Sequence, residues 1–184
     1  LGMAKETSHL AAIANSQYVF TCCQIGAEKA LKRDVARRHG NLTFAFSRPG
    51  FVTFKRKDAS RIDRIESPFA RTFGFHFGQI KSAPSDSAEL AREVARLLQS
   101  NVGTFQHLHV WQRDQAVPGE RGFEPFVTDE MLDFGKAIRE ALGPDSQKMP
   151  INRRGNRGDV VADVIKLDAD HVYLGGHPVA SNVS

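Results

Sequence analysis

One turn-rich stretch, Ser82-Ala83-Pro84-Ser85-Asp86-Ser87, divides this chain into two runs of alternating strand and helix patterns. Such Ser/Pro/Asp clusters mark loops because their backbones favour turns over continued helix or strand. Before it, Tyr18–Cys23 has strand composition, and residues 26–39 read as a helix with Ala27, Ala30, Leu31 and Val35 on one stripe. Gly40 is expected to cap that helix. Leu42–Phe46 alternates as a strand, Ser47-Arg48-Pro49-Gly50 supplies a turn, and Phe51–Phe54 returns as the second arm of a hairpin. Residues 58–71 are ambiguous, with a short helix as one reading, and Phe73-Gly74-Phe75-His76-Phe77 follows as a strand with three phenylalanines on one face.

After the hinge, residues 88–99 form an amphipathic helix and Thr104–Trp111 a strand. Residues 113–127 are a Pro/Gly loop, and a helix runs from Asp129 to Leu142 and stops at Gly143-Pro144. Ile151–Gly158 is a basic, glycine-rich loop, and Val160–Leu167 with His171–Leu174 closes as a hairpin. The expected fold class is α+β: a ferredoxin-like β-α-β-β-α-β unit over residues 17–81, then an α-β-α-β-β unit over 86–179, with mixed sheets. Two packed units are expected rather than one continuous sheet. Residues 1–16 are small and polar and read as a poorly ordered leader. Leu1-Gly2 ahead of Met3 is read as an expression remnant, and without an export signal the expected location is cytoplasmic.

Charge is distributed unevenly. Residues 26–71 carry twelve Lys or Arg against five Asp or Glu, a net of +7 in a chain whose total is +4. Residues 72–147 carry seven basic and eleven acidic groups, net −4, whereas Lys148, Arg153, Arg154 and Arg157 make residues 148–158 +4. Such concentration is the pattern of a phosphate-binding surface. The ordinary alternative is a solvated face. The stripe on the first helix should turn Lys29, Lys32, Arg33 and Arg37 to solvent, on the same broad face as Arg48, Lys55, Arg56 and Lys57. Arg153, Arg154 and Arg157 would clamp from the glycine-rich loop.

No dinucleotide-type glycine turn, P-loop, nucleophile elbow or zinc-protease motif occurs. His107 and His109 lie on one face of a strand, yet two imidazoles fall short of a closed metal site, and neither His76 nor Asp114 can be placed as a third ligand from the sequence. Adjacent Cys22 and Cys23 point to opposite faces and are read as buried packing residues. The expectation is no catalytic residue, no metal and no membrane span.

Four stretches carry a family resemblance: Gly26-Ala27-Glu28-Lys29-Ala30-Leu31, Arg48-Pro49-Gly50-Phe51-Val52-Thr53-Phe54, the α-β-α-β-β order of residues 88–174, and Val160–His177 with Tyr173-Leu174-Gly175-Gly176-His177. Together they resemble the amino-terminal region of THUMP-domain RNA methyltransferases, in particular bacterial ribosomal RNA 2′-O-ribose methyltransferases. The resemblance covers about residues 18–179. It implies a non-catalytic region that positions structured RNA, ribosomal or transfer, for a methyltransferase domain in cis. S-adenosylmethionine would belong to that domain, which has no counterpart before Ser184; an excised piece and a protein lacking the catalytic part are both open. Neither membrane nor DNA is an expected partner. A protein-interaction domain with a basic face, or a small enzyme whose site is formed only by the fold, are the alternatives.

Overall fold

The computed structural model describes residues 13–113 and 128–179. The leader expected at residues 1–16 therefore falls outside it up to residue 12, as does the Pro/Gly loop from 114 to 127. Residues 13–16 are not loose: Ser16 Oγ donates to the carbonyls of Tyr18 and His76, and Ile13 packs against the core.

Period-two patterns become seven strands: β1 (Tyr18–Cys22), β2 (Leu42–Arg48), β3 (Phe51–Arg56), β4 (Thr72–Ile80), β5 (His107–Gln112), β6 (Val160–Asp168) and β7 (His171–Pro178). Period-3.6 patterns become α1 (Glu28–Arg38), α2 (Ser87–Asn101) and α3 (Asp129–Leu142). Asp86 caps α2 through the amide of Ala88, and Thr128 caps α3 through that of Met131. Gly40 does not close α1, whose C-cap is His39 with φ of −127° and ψ of 77°.

The observed class is α+β with a mixed sheet, compatible with a ferredoxin-like unit followed by a THUMP-like unit. In the first half the strand order β2-β3-β1-β4, antiparallel throughout, is ferredoxin-like. Its second crossover is not helical. Residues 57–71 run as coil with Ile62 and Ile65 buried as anchors. Asp58, Ser60 and Ser67 bond nearby backbone or side-chain groups, and Pro68 lacks an amide, so a helix loses its local advantage.

The second half continues the same sheet. β4 pairs antiparallel with β7, β7 with β6, and β5 runs parallel to β6, giving the order β2-β3-β1-β4-β7-β6-β5. The expectation of two separate sheets is corrected here: β4 and β7 would each be an open edge alone, and pairing them satisfies both rows of backbone groups.

All three helices lie on one face. Leu31 and Val35 of α1, Val94 and Leu98 of α2 and Ile138 of α3 join Val19, Phe54, Phe75, Val110, Val164 and Leu174 in the main core. Alternation sends Phe20, Cys22, Phe51, Trp111, Ile165, Leu167 and Tyr173 to the opposite face, which is helix-free among the described residues and where they form a second cluster. The stripe of Phe73, Phe75 and Phe77 belongs to the main core or packs against it.

Candidate nucleic-acid interface

The helix-free face is concave. Phe46 of β2 and Tyr173 of β7 have ring centroids 6.5 Å apart, although three strands intervene between them. A flat sheet would separate those strands by about 19 Å. Curling folds the aromatic side chains over one another, which is how a face without helices keeps Phe20, Phe51 and Tyr173 at 1% exposure or less. Phe20 reaches the fold's centre because Gly74 and Gly175 have no side chain, and a Cβ at either would strike its ring. Arg113 secures the curl at one end, donating to the carbonyls of Pro49 and Leu167 and pairing with Asp168 at 3.6 Å.

A cleft of about 620 Å³ opens on this face beside Phe20. β4 contributes Thr72 and Phe73 with Arg71 just before it; β5 contributes His109 and Trp111, and β6 and β7 contribute Asp163 and His177. Asn152, Arg153 and Arg154 complete the wall. Arg71, Arg153 and Arg154 are exposed. A guanidinium fork matches phosphate geometry, and aromatic faces beside cations suit unstacked bases.

The basic loop is pinned here by its own chemistry. Ile151 bridges Leu108 in parallel, and the Asn152 amide donates to the Leu108 carbonyl at 2.9 Å. The Asn152 side chain then accepts from the amide of Val110 and donates to its carbonyl, at 2.7 and 3.0 Å. It thereby stands in for a strand residue along the outer edge of β5. His109 Nε2–H donates to the Arg153 carbonyl at 2.8 Å. Further on, Asp159 accepts from the Asn156 amide and joins His107 Nε2 at 2.8 Å, and its carboxyl is held below the usual range chiefly by that imidazole.

Asp163 is 4% exposed, and His177 Nδ1–H donates to it at 2.7 Å. Burial disfavours the charged imidazole, but the Asp163 carboxylate outweighs it by charge and hydrogen bond, leaving the His177 pKa above its ordinary value. Protonation of His177 would be matched by the Asp163 carboxylate, so the arginines carry the cleft's net positive charge. Among the described residues, no group of three His, Cys, Asp or Glu side chains is arranged to hold a metal ion.

The residues expected to bind RNA do not share one face. Lys29, Arg33 and Arg37 are exposed on α1, whose buried side faces the helix layer's core. Lys32 is only partly exposed: its Nζ donates to Ser47 Oγ at 3.1 Å and lies 4.1 Å from the centre of the Phe44 ring. Arg48 pairs with Asp168 at 3.4 Å. Lys55 and Lys57 are exposed, and Arg157 is exposed on the loop with Arg153 and Arg154. Arg56 is a correction, because it is 7% exposed and donates to the carbonyls of Ile13, Ser16 and Ser60. The α1 cations and the cleft cations lie on opposite sides of the sheet, so they make no continuous stripe. Arg71, Asn152, Asp163 and His177 were missed as site residues. Only Arg71 left a sequence signal, as one charge of the basic segment.

The first two resemblance motifs meet in one contact. Glu28 accepts from the amides of Gly26 and Gly50, both at 2.8 Å, tying the start of α1 to the Arg48-Pro49-Gly50 turn. Gly50 has φ of +81°, and a Cβ there would sit 3.3 Å from the Cys23 carbonyl. These residues build the scaffold. Cys22 and Cys23 are buried and free, and burial pushes the Cys23 thiol up to about 12 and the Cys22 thiol higher still.

Comparison with known proteins shows a similar fold in several solved structures. A possible methylase from Clostridium difficile 630 superposes with a TM-score of 0.53 at 14% identity over 88% of this chain. TrmN from Thermus thermophilus gives 0.50 at 14% over 87%, and a predicted N6-adenine-specific DNA methylase from Listeria monocytogenes 0.54 at 15% over 88%. This chain spans 41%, 45% and 40% of those chains, respectively. No family model matches the sequence, and no curated protein matches it.

Proposed function

We propose that this chain is an RNA-binding region of THUMP type that holds structured RNA for a methyltransferase domain acting on ribose or base. The observation that carries this reading is the cleft, where Arg71, Arg153 and Arg154 surround a wall containing Thr72 and Trp111. The solved structures of like fold support it, since two of them are described as a possible methylase and a predicted DNA methylase, and this chain spans less than half of each. Structured RNA is recognised through phosphates, 2′-hydroxyls and splayed bases, which arginines and aromatic edges suit without base-specific side chains.

S-adenosylmethionine belongs, in this reading, to the catalytic domain in cis. The residues here do not fit it: the β1–α1 turn has a single glycine, Gly26, and Glu28 of the chain itself occupies that glycine's amide.

The test is Arg71→Glu with Arg153→Glu, binding a transfer RNA and a ribosomal RNA fragment across a salt series, with duplex DNA as competitor. Both side chains are exposed, so stability should stay within about 0.5 kcal/mol. RNA affinity should fall at least tenfold at moderate salt, and the salt slope should flatten by roughly one unit per lost phosphate contact. Unchanged affinity would remove the cleft from the interface and the proposal with it.

A further inference from the structure

A second opening lies on the concave face, on the other side of the Phe20–Tyr173 contact from the cleft. It is a pocket of about 290 Å³ with Tyr18, Phe46, His76 and Tyr173 among its walls. Four aromatic rings around so small a volume leave room for one planar ring system. Tyr18 and His76 meet edge to face at 5.9 Å, and His76 and Tyr173 lie 4.7 Å apart, so the rings brace one another.

Two polar atoms of this wall lack partners. The Tyr173 hydroxyl is buried in a residue 1% exposed, and His76 Nδ1 is buried as well. Both atoms lie behind the ring faces, so the wall that the pocket presents is the aromatic faces themselves. Burial pushes the His76 pKa down to about 4, so the ring is neutral at pH 7 and offers a donor or acceptor rather than a charge. Lys55, exposed and directly opposite Tyr18 in the β1–β3 ladder, places a cation on the same face at the rim.

Resting on the RNA-binding reading above, we infer that this pocket takes one unstacked nucleobase of the RNA strand whose backbone lies in the arginine cleft. The two openings are adjacent. Phe20 walls the cleft, Tyr173 walls the pocket, and their rings are 5.4 Å apart. Along β4 the cleft residue Thr72 and the pocket residue His76 are four positions, about 13 Å, apart on one face. A nucleobase supplies what the rings of this pocket take, a π face that stacks on Tyr18, Phe46 and His76.

The experiment compares an eight-nucleotide single-stranded RNA with a series in which one abasic residue steps through each position, so that phosphates stay constant while one base is lost. The parent protein should bind the intact strand roughly five- to a hundredfold more tightly than the strand abasic at the pocket register, the range of one stacked base. Tyr173→Phe removes only an unpaired hydroxyl behind the ring faces, so stability should hold or rise with that ratio unchanged. Ala45→Phe, which fills the pocket from its wall, should bring the ratio to one without changing the salt slope. If every abasic strand binds the parent as tightly as the intact one while affinity still falls with salt, the pocket holds ordered water only and the inference is overturned, with the RNA reading intact. If no strand binds, the RNA reading fails; adenosine 5′-monophosphate then decides the pocket, and no greater shift of Tyr18 and His76 resonances than with ribose 5-phosphate ends the inference too.

Discussion

Neighbouring cations on β3 do opposite work. The Arg56 guanidinium lies under the surface, 5.5 Å from the centre of the Phe75 ring, and satisfies three backbone carbonyls of the chain's own amino-terminal turn and coil. Arg56→Ala leaves the buried Ser16 carbonyl without its donor and opens a cavity beside Phe75, and should lower stability by about 2–4 kcal/mol in a denaturant titration. Lys55→Ala, one position away and exposed, should change it by less than about 0.5 kcal/mol. Equal effects would contradict the burial of Arg56. His76 makes a separate prediction. Its folded pKa of about 4 lies below the unfolded value near 6.5, so between those values the unfolded chain binds a proton that the folded one refuses. Stability should therefore fall as pH drops from about 6.5 towards 4, by at most about 1.4 kcal/mol per pH unit from this group. The stability difference between the parent and His76→Gln, measured at pH 7 and at pH 5, should shift in the variant's favour at the lower value.

Among the elements, α1 carries the densest charge, yet it sits away from the cleft. Its inner side is fixed by Leu31 and Val35, and its outer side exposes Arg33 and Arg37. Arg33→Glu with Arg37→Glu should cost less than about 1 kcal/mol, mostly through the unfavourable charge near the helix C-terminus. RNA affinity should drop less than for the Arg71 and Arg153 pair at the same salt. The reverse ranking would move the interface to the helix layer. Lys32 is a poorer probe, because removing its bond to Ser47 and its stacking on Phe44 mixes packing with charge.

At the scale of the molecule, one sheet crosses the Ser82–Ser87 turn. The β4–β7 ladder joins Phe75 to Gly176 and Ile80 to Val172, and the curled face packs Phe20 of the first half against Tyr173 of the second. Such sharing predicts one cooperative transition, with Trp111 fluorescence and amide exchange in β1–β3 reporting the same midpoint. Two separated transitions would show that the halves fold independently despite their common sheet.

Local patterning was enough to locate α2, α3 and most strands, because amphipathic periods and capping residues such as Asp86 and Thr128 act within a few positions. It also located the two basic segments. The coil at 57–71 escaped because Ile62 and Ile65 keep a helical spacing while nearby side chains and Pro68 favour coil. The buried role of Arg56 escaped because a charge on an alternating strand carries no mark of burial. The β4–β7 pairing, the curl and the cleft were decided only in three dimensions. Each depends on surfaces from separate elements fitting together: Gly74 and Gly175 around the Phe20 ring, Asn152 against the edge of β5, Asp163 against His177. Periodicity fixes which face a residue takes; only packing decides which distant face it meets.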